Sequence, residues 1–275
     1  MFQEPKFDLI LINKTINMIN KKLTKLELYQ FENLIKYDGI LHFITTRSGG
    51  ISSKPFESLN LGYKSGDKPE NVKTNWKILE RNIGLEDKKI VLLNQLHSDK
   101  IIIIEDILKE NSIHERDGDA IITNQHGVLI AVLVADCVPI IIYDPDNSII
   151  AVVHAGWRGS SLNIAKKTVN QMKRSFHSKP ENIIVGIGPS IGPCCYEVKK
   201  DVVKHFTEYK NAVIKRKNQY YINLREINRA QLINAGLKES NIEIASLCTS
   251  CNIKHFFSYR KKHPTGRFAA GVMLK

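Results

Sequence analysis

The sequence predicts a single mixed α/β domain built around an extensive β-sheet. Six β-branched runs of strand length, separated by turn residues, crowd together at 90–96, 101–105, 118–123, 128–134, 139–143 and 149–153. Helical periodicity flanks them, at 70–83 and again after Gly159. No linker, low-complexity stretch or internal repeat divides the 275 residues, a length that can bury a full core.

Residues 1 to about 37 alternate short apolar runs with Lys and Asn and carry no recognisable chemistry, so they are expected to be an N-terminal extension packed on a body spanning 38–275. The body opens with LHFITTRSGG (41–50), a strand running into Arg47 and a Gly49-Gly50 turn. Backbone amides freed by glycines beside an arginine form an anion-binding nest, although a tight turn with a surface Arg is the plainer reading. SLNLG (58–62) is a turn-rich connection. The helix at 70–83 puts Val72, Trp76, Leu79 and Ile83 on one face, and Gly84 is placed to end it. Several of the central strands are apolar throughout, as strands covered on both faces are. After Gly159, Leu162, Ala165, Val169 and Met172 line a helix that Ser160 or Ser161 would cap. A buried strand at 183–188 leads into GPSIGPCCY (188–196). Asn223 and Glu226 form a capping box for a helix at 224–235, closed by Gly236. The strand at 242–247 runs into CTSC (248–251), and the tail from 256 to 274 reads as strand, loop and final strand.

Composition narrows the function. Apolar residues make up 43% and charged residues 25%, ordinary for a soluble globular protein. The net charge of +12 comes from scattered lysines, with no basic stretch interleaved with stacking aromatics, so no nucleic-acid partner is expected. The charge is compatible with anionic small molecules such as phosphate. The most apolar stretch, 128–143, is interrupted by Asp136 and Pro139 and is too short to span a bilayer, so no membrane partner is expected either. The five cysteines are Cys137, Cys194, Cys195, Cys248 and Cys251. An odd count, an adjacent pair and no signal-peptide pattern argue against a secreted disulfide framework and for a reducing cytoplasm.

The chemistry gathers in ADCVPIIIYDPDNSIIAVVHAGWRG (135–159). Two apolar runs joined by Asp144-Pro145-Asp146-Asn147 form a hairpin, which brings Cys137 and His154 to the same sheet end. His97, in NQLHSDK (94–100), also follows an apolar run. Cys, His and a third ligand with an open position describe a catalytic zinc site. Cys137 and His154 alone describe a thiolate nucleophile and its base, which Asp136 or Asp119 would orient. The residues leave both readings open. Cys248-x-x-Cys251 has no second CxxC and no thioredoxin-like context, so a pair of partly buried thiols is its plain reading.

Taken in order, these motifs resemble the YfiH/YlmD family, also known as the DUF152 or laccase-domain family and related to the FAMIN purine enzyme. The resemblance runs from about Leu41 to the C-terminus through TTRSGG, SLNLG, NQLHSDK, GDAIIT, ADCVPIIIYD, AVVHAGWRG, IGPSIGPCCYEV, NLREINRAQLINAG and FFSYRKKHPTGRFAAGVML. It implies a layered α/β/β/α single domain and a zinc site made by His97, Cys137 and His154. It also implies purine nucleoside phosphorylase activity, in which adenosine, inosine or S-methyl-5′-thioadenosine reacts with phosphate to give free base and a ribose 1-phosphate. Deamination of adenosine is implied beside it, with His97, Cys137 and His154 acting through a water activated by the metal. Implied partners are the nucleoside and phosphate, in a monomer or homodimer. Arg47, Arg158 and Arg267, all in matched motifs, are the candidates for phosphate contact. The family's older label is copper-dependent polyphenol oxidase. Copper would bind such a triad in vitro, but none of the nine histidines forms a His-x-His pair and no Met adjoins the Cys137 motif, so zinc is expected. A distantly related bacterial toxin of this fold keeps the metal-free Cys–His hydrolase as the other alternative. Two residues depart from the family pattern: Ser98 stands where glycine usually follows the histidine, and Cys251 is not a general family feature.

Overall fold

The computed structural model describes residues 26–105 and 116–275; of the extension expected over residues 1–37, residues 1–25 lie outside them. These residues form fourteen strands and six α-helices. The first sheet orders β1 (Leu28–Tyr29), β2 (Ile40–Thr45), β14 (Phe268–Leu274), β6 (Val128–Val134) and β3 (Lys89–Val91). The second orders β13 (Ile242–Ile244), β9 (Ile184–Ile187), β7 (Val138–Asp144), β8 (Ile149–Ala155), β5 (Ala120–Thr123) and β4 (Ile101–Ile104). A small third sheet joins β10 (Glu197–Val198), β12 (Gln219–Ile222) and β11 (Val213–Arg216). The helices are α1 (Glu32–Ile35), α2 (Pro69–Ile83), α3 (Trp157–Ser161), α4 (Ile164–Phe176), α5 (Lys200–Val203) and α6 (Leu224–Asn234).

The layers follow from strand alternation. In β8, Ile150 and Val152 join Ile121 and Ile141 against Ile44, Ile130, Val132 and Val272 of the first sheet. Ala151 and Val153 point the other way, onto Ile164, Ala165, Val169 and Met172 of α4 and Ile227 and Leu232 of α6. On the far side of the first sheet, Phe43, Leu129 and Met273 meet Val72, Trp76 and Leu79 of α2. This is the expected α/β/β/α stack, and double-sided burial explains why the central strands are apolar at every position. Each fully buried Val, Ile or Leu contributes about 1.5–3 kcal/mol. No helix among the described residues is long and apolar enough to cross a membrane.

Local signals hold where they are chemical. Gly84 ends α2 at φ 71°, and the Asn223 side chain accepts from the Glu226 amide at the start of α6. Four expectations change. Of the 90–96 run only residues 90 and 91 are strand, in β3, which frees the following residues to turn toward β5. The helix expected from 160 is two helices broken at Asn163, φ 62°; Leu162 is exposed there, and Ser160 is buried inside α3 as an acceptor for Asn228. The strand expected at 242–247 stops at Ile244. Residues 256–260 are irregular and end in a turn rather than a strand; Phe256 and Phe257 are apolar because they fill the space between the sheets.

Candidate metal centre

The hairpin does what its sequence suggests. β7 and β8 pair antiparallel with Pro139 opposite His154, so Cys137, just before β7, and His154, near the end of β8, share one end of the second sheet. His154 continues the row of Ile150 and Val152, facing the first sheet. His97 arrives from the loop between β3 and β4 with φ 60°, an uncommon backbone state for a residue with a side chain. Its Nε2 lies 3.7 Å from Cys137 Sγ, and its ring meets that of His154 edge-on at 4.7 Å. One ligand atom from each of the three lies within 4.8 Å of the others. A β-carbon at Gly156 would come within 2.9 Å of His97 Cδ2 and 3.1 Å of Cys137 Sγ, so the triad closes only over a glycine.

Asp119 organises both histidines. It is fully buried, beside His154 in the β5–β8 register. Its carboxylate accepts from His154 Nδ1 at 2.8 Å, from the backbone amides of Leu96, His97 and Ser98, and from the Ser98 hydroxyl. Burial alone would raise its pKa; the bonds from His154 and Ser98 outweigh that and hold it down at about 2. One carboxylate thus fixes the His154 tautomer and the His97 loop together, the supporting arrangement metal-ligating histidines require. Ser98, the departure from the family's glycine, supplies two of these bonds. Asp136, the other candidate to orient a histidine, does not do so: it accepts from Thr249 Oγ1 at 2.6 Å and from the Arg260 amide at 2.7 Å, tying loops together.

The donor set fits a metal ion. With Nδ1 engaged by Asp119, His154 turns its other nitrogen to the Cys137 sulfur. Burial pushes the Cys137 thiol up, but the charge and hydrogen bond of His154, then of His97, bring it down to about 6. Burial pushes His154 down, but the Cys137 charge and the Asp119 bond lift it to about 9. A ready thiolate and two imidazoles suit zinc, and also copper. The thiolate has a direct consequence. In metal-free protein, alkylation of Cys137 followed by peptide mass spectrometry will be half-maximal near pH 6 and level above it. A midpoint near the ordinary thiol value of about 8.5 contradicts the arrangement.

The arginines divide. Arg267 is coupled to this centre through the Cys137 and Asp136 charges, while its Nη1 donates to the Thr265 and Gly266 carbonyls; Arg158 acts with Arg260 and Cys137 on the half-buried Tyr196. Arg260 also stacks over the Tyr196 ring at 5.1 Å. Arg47 is engaged elsewhere. Its guanidinium donates to the Glu57 and Ile253 carbonyls and stacks on Phe257. The expected nest beside it is filled from within, the Gly50 amide donating to Ser58 Oγ and the Ile51 amide to Asn75 Oδ1. Sequence reasoning passed over Tyr196 and Arg260, whose loops have no periodicity to mark them.

Two sheets between helices, with a His–Cys–His cluster at the end of a central hairpin, define the laccase-domain class of protein. The family model described as multi-copper polyphenol oxidoreductase laccase matches residues 41–275, and the chain belongs to that family. It is 32% identical over 256 residues to the purine nucleoside phosphorylase of Bacteroides thetaiotaomicron, covering 89% of this chain and 95% of that one. It is 34% identical to the purine nucleoside phosphorylase YfiH of Escherichia coli, covering 86% and 94%. The crystal structure of YlmD from Geobacillus stearothermophilus superposes with a TM-score of 0.82 at 32% identity, over 91% of this chain and 96% of that one.

Proposed function

We propose that this chain is a zinc-dependent purine nucleoside phosphorylase acting on adenosine, inosine or S-methyl-5′-thioadenosine, with adenosine deamination as a second activity. His97, Cys137 and His154 hold the ion, and Arg158 and Arg267 hold phosphate. The observation that carries this reading is the pairing of a Cys–His–His ligand set with an arginine, Arg267, on which the charge of the same sulfur acts. Relatives of similar length named as purine nucleoside phosphorylases support it. A bound zinc ion supplies Lewis-acid polarisation and lowers the pKa of a water molecule to roughly 7.

The chain's own groups supply the rest. Phosphorolysis needs a phosphate oxygen aimed at the anomeric carbon while the bond to the purine nitrogen breaks. Arg267 and Arg158 offer fork-shaped donors for that dianion. Tyr196, kept protonated by burial and by the Cys137 charge, remains a hydrogen-bond donor beside them. Asp119 keeps both histidines in place without touching substrate. The five cysteines are unbridged, which suits the reducing cytoplasm we propose for the enzyme.

Incubating adenosine with the protein, with and without inorganic phosphate, tests this reading. Adenine release will require phosphate, whereas inosine release will not. Arg267→Ala will raise KM for phosphate by roughly 10–100-fold, the cost of one charged hydrogen bond, with a smaller effect on KM for the nucleoside. Adenine release indifferent to phosphate contradicts the proposal.

A further inference from the structure

The four cysteines outside the triad also meet. Cys194 and Cys195 lie between β9 and β10, and Cys248 and Cys251 between β13 and β14. Cys251 Sγ is 3.6 Å from Cys194 Sγ and 3.4 Å from Cys195 Sγ, and all four sulfurs lie within 4.8 Å of one another. Four thiolates around one zinc ion at about 2.3 Å stand roughly 3.8 Å apart along each edge of the tetrahedron. The observed spacing is close to that and far from the roughly 2.05 Å of a disulfide, which would also engage only two of the four.

Two features around the sulfurs prepare them for a cation. Cys248 Sγ accepts from the Gly192 amide at 3.2 Å and from the Cys251 amide, the backbone bonds that hold a thiolate in place. Behind them, the buried Arg225 donates to the Ala245 and Leu247 carbonyls, and its Nη2, Cys248 Cβ and Cys194 Sγ all converge within 3.3 Å of where a β-carbon of Gly192 would stand. A buried guanidinium is costly without a counter-charge. Four thiolates around a divalent ion carry a net charge of about −2 and supply one.

We propose that Cys194, Cys195, Cys248 and Cys251 hold a second zinc ion in a closed, structural site of four thiolates. It fastens the loop carrying Tyr196 to the loop carrying Thr249 and Arg260, the same loops that Asp136 joins beside the triad, its backbone carbonyl accepting from the Ile191 amide and its carboxylate from Thr249 and Arg260. The two ions therefore have separate roles. The triad leaves a position open, whereas four thiolates fill a tetrahedron. The proposal stands whether or not the first site performs phosphorolysis.

The test is metal stoichiometry. Reduced protein is saturated with zinc, desalted and assayed by atomic emission. Wild type will retain about two ions per chain, His97→Ala about one, Cys251→Ser about one, and the double variant none. Cys251 is exposed, so serine there leaves the fold intact. Cobalt added to His97→Ala will give the intense visible bands of a tetrahedral thiolate site, and these will be lost in the double variant. A His97→Ala protein that retains no zinc, or that keeps its ion after Cys251→Ser is added, overturns the proposal.

Discussion

Cys137→Ala will lower phosphorolysis by roughly three orders of magnitude while leaving the fold intact. The magnitude follows from removing an ion that stabilises developing charge by several kcal/mol, each 1.36 kcal/mol being about tenfold in rate. The fold survives because Cys137 is only half-buried and sits before β7 rather than inside it. On its own this loss would also suit a Cys–His nucleophile, so His97→Ala is the informative partner. A thiolate nucleophile with His154 as base has no need of His97, whereas an ion held by three ligands loses its site with any one of them. Both variants will fall together in phosphorolysis, with circular dichroism and melting behaviour close to wild type. Near-normal turnover by His97→Ala beside an inactive Cys137→Ala contradicts the metal centre.

Asp119→Ala has the second large effect, and it acts on stability and the site at once. The carboxylate is the shared acceptor for His154 Nδ1, three consecutive amides and the Ser98 hydroxyl. Alanine leaves buried donors without partners and removes the charge that fixes the His154 ring, costing about 3–5 kcal/mol. For a chain of this size that lowers the melting temperature by on the order of 10 °C. Metal affinity at the triad falls by roughly 10–100-fold, the usual cost of losing the group that orients a ligating histidine. Asp119→Asn keeps an acceptor of the same shape and will lie between the two. Thermal melting and zinc competition with a chelator measure both effects. An Asp119→Ala protein that melts with wild type contradicts the role given to the carboxylate.

The parts of this structure legible in the sequence are those governed by short-range rules. The hairpin from Val138 to Ala155 follows from two apolar runs and a turn, and its register follows from the length of that turn. The helix caps at Gly84 and Asn223 are local chemistry as well. What escapes is set by distant segments. Asp119 and Asp136 both flank strands, and only the pairing of β5 with β8 shows which of them faces His154. Arg47 beside Gly49-Gly50 has the pattern of an anion nest, but Asn75, on a helix far along the chain, already occupies an amide of that turn. Cys194-Cys195 and Cys248-x-x-Cys251 are weak signals separately, because the approach of their loops depends on the parallel pairing of β9 with β13. His97 lies in a loop with no period, and the family resemblance rather than the spacing selects it.

The most direct test of the central claim follows the oxygen that ends on the sugar. The wild-type protein is given inosine and inorganic phosphate in water enriched in oxygen-18, and the sugar product is weighed by mass spectrometry. Phosphorolysis joins a phosphate oxygen to the anomeric carbon, so the account predicts ribose 1-phosphate without the heavy isotope, formed one for one with hypoxanthine. Free ribose formed one for one with hypoxanthine, in place of ribose 1-phosphate, would show that water attacks the sugar, and would contradict it.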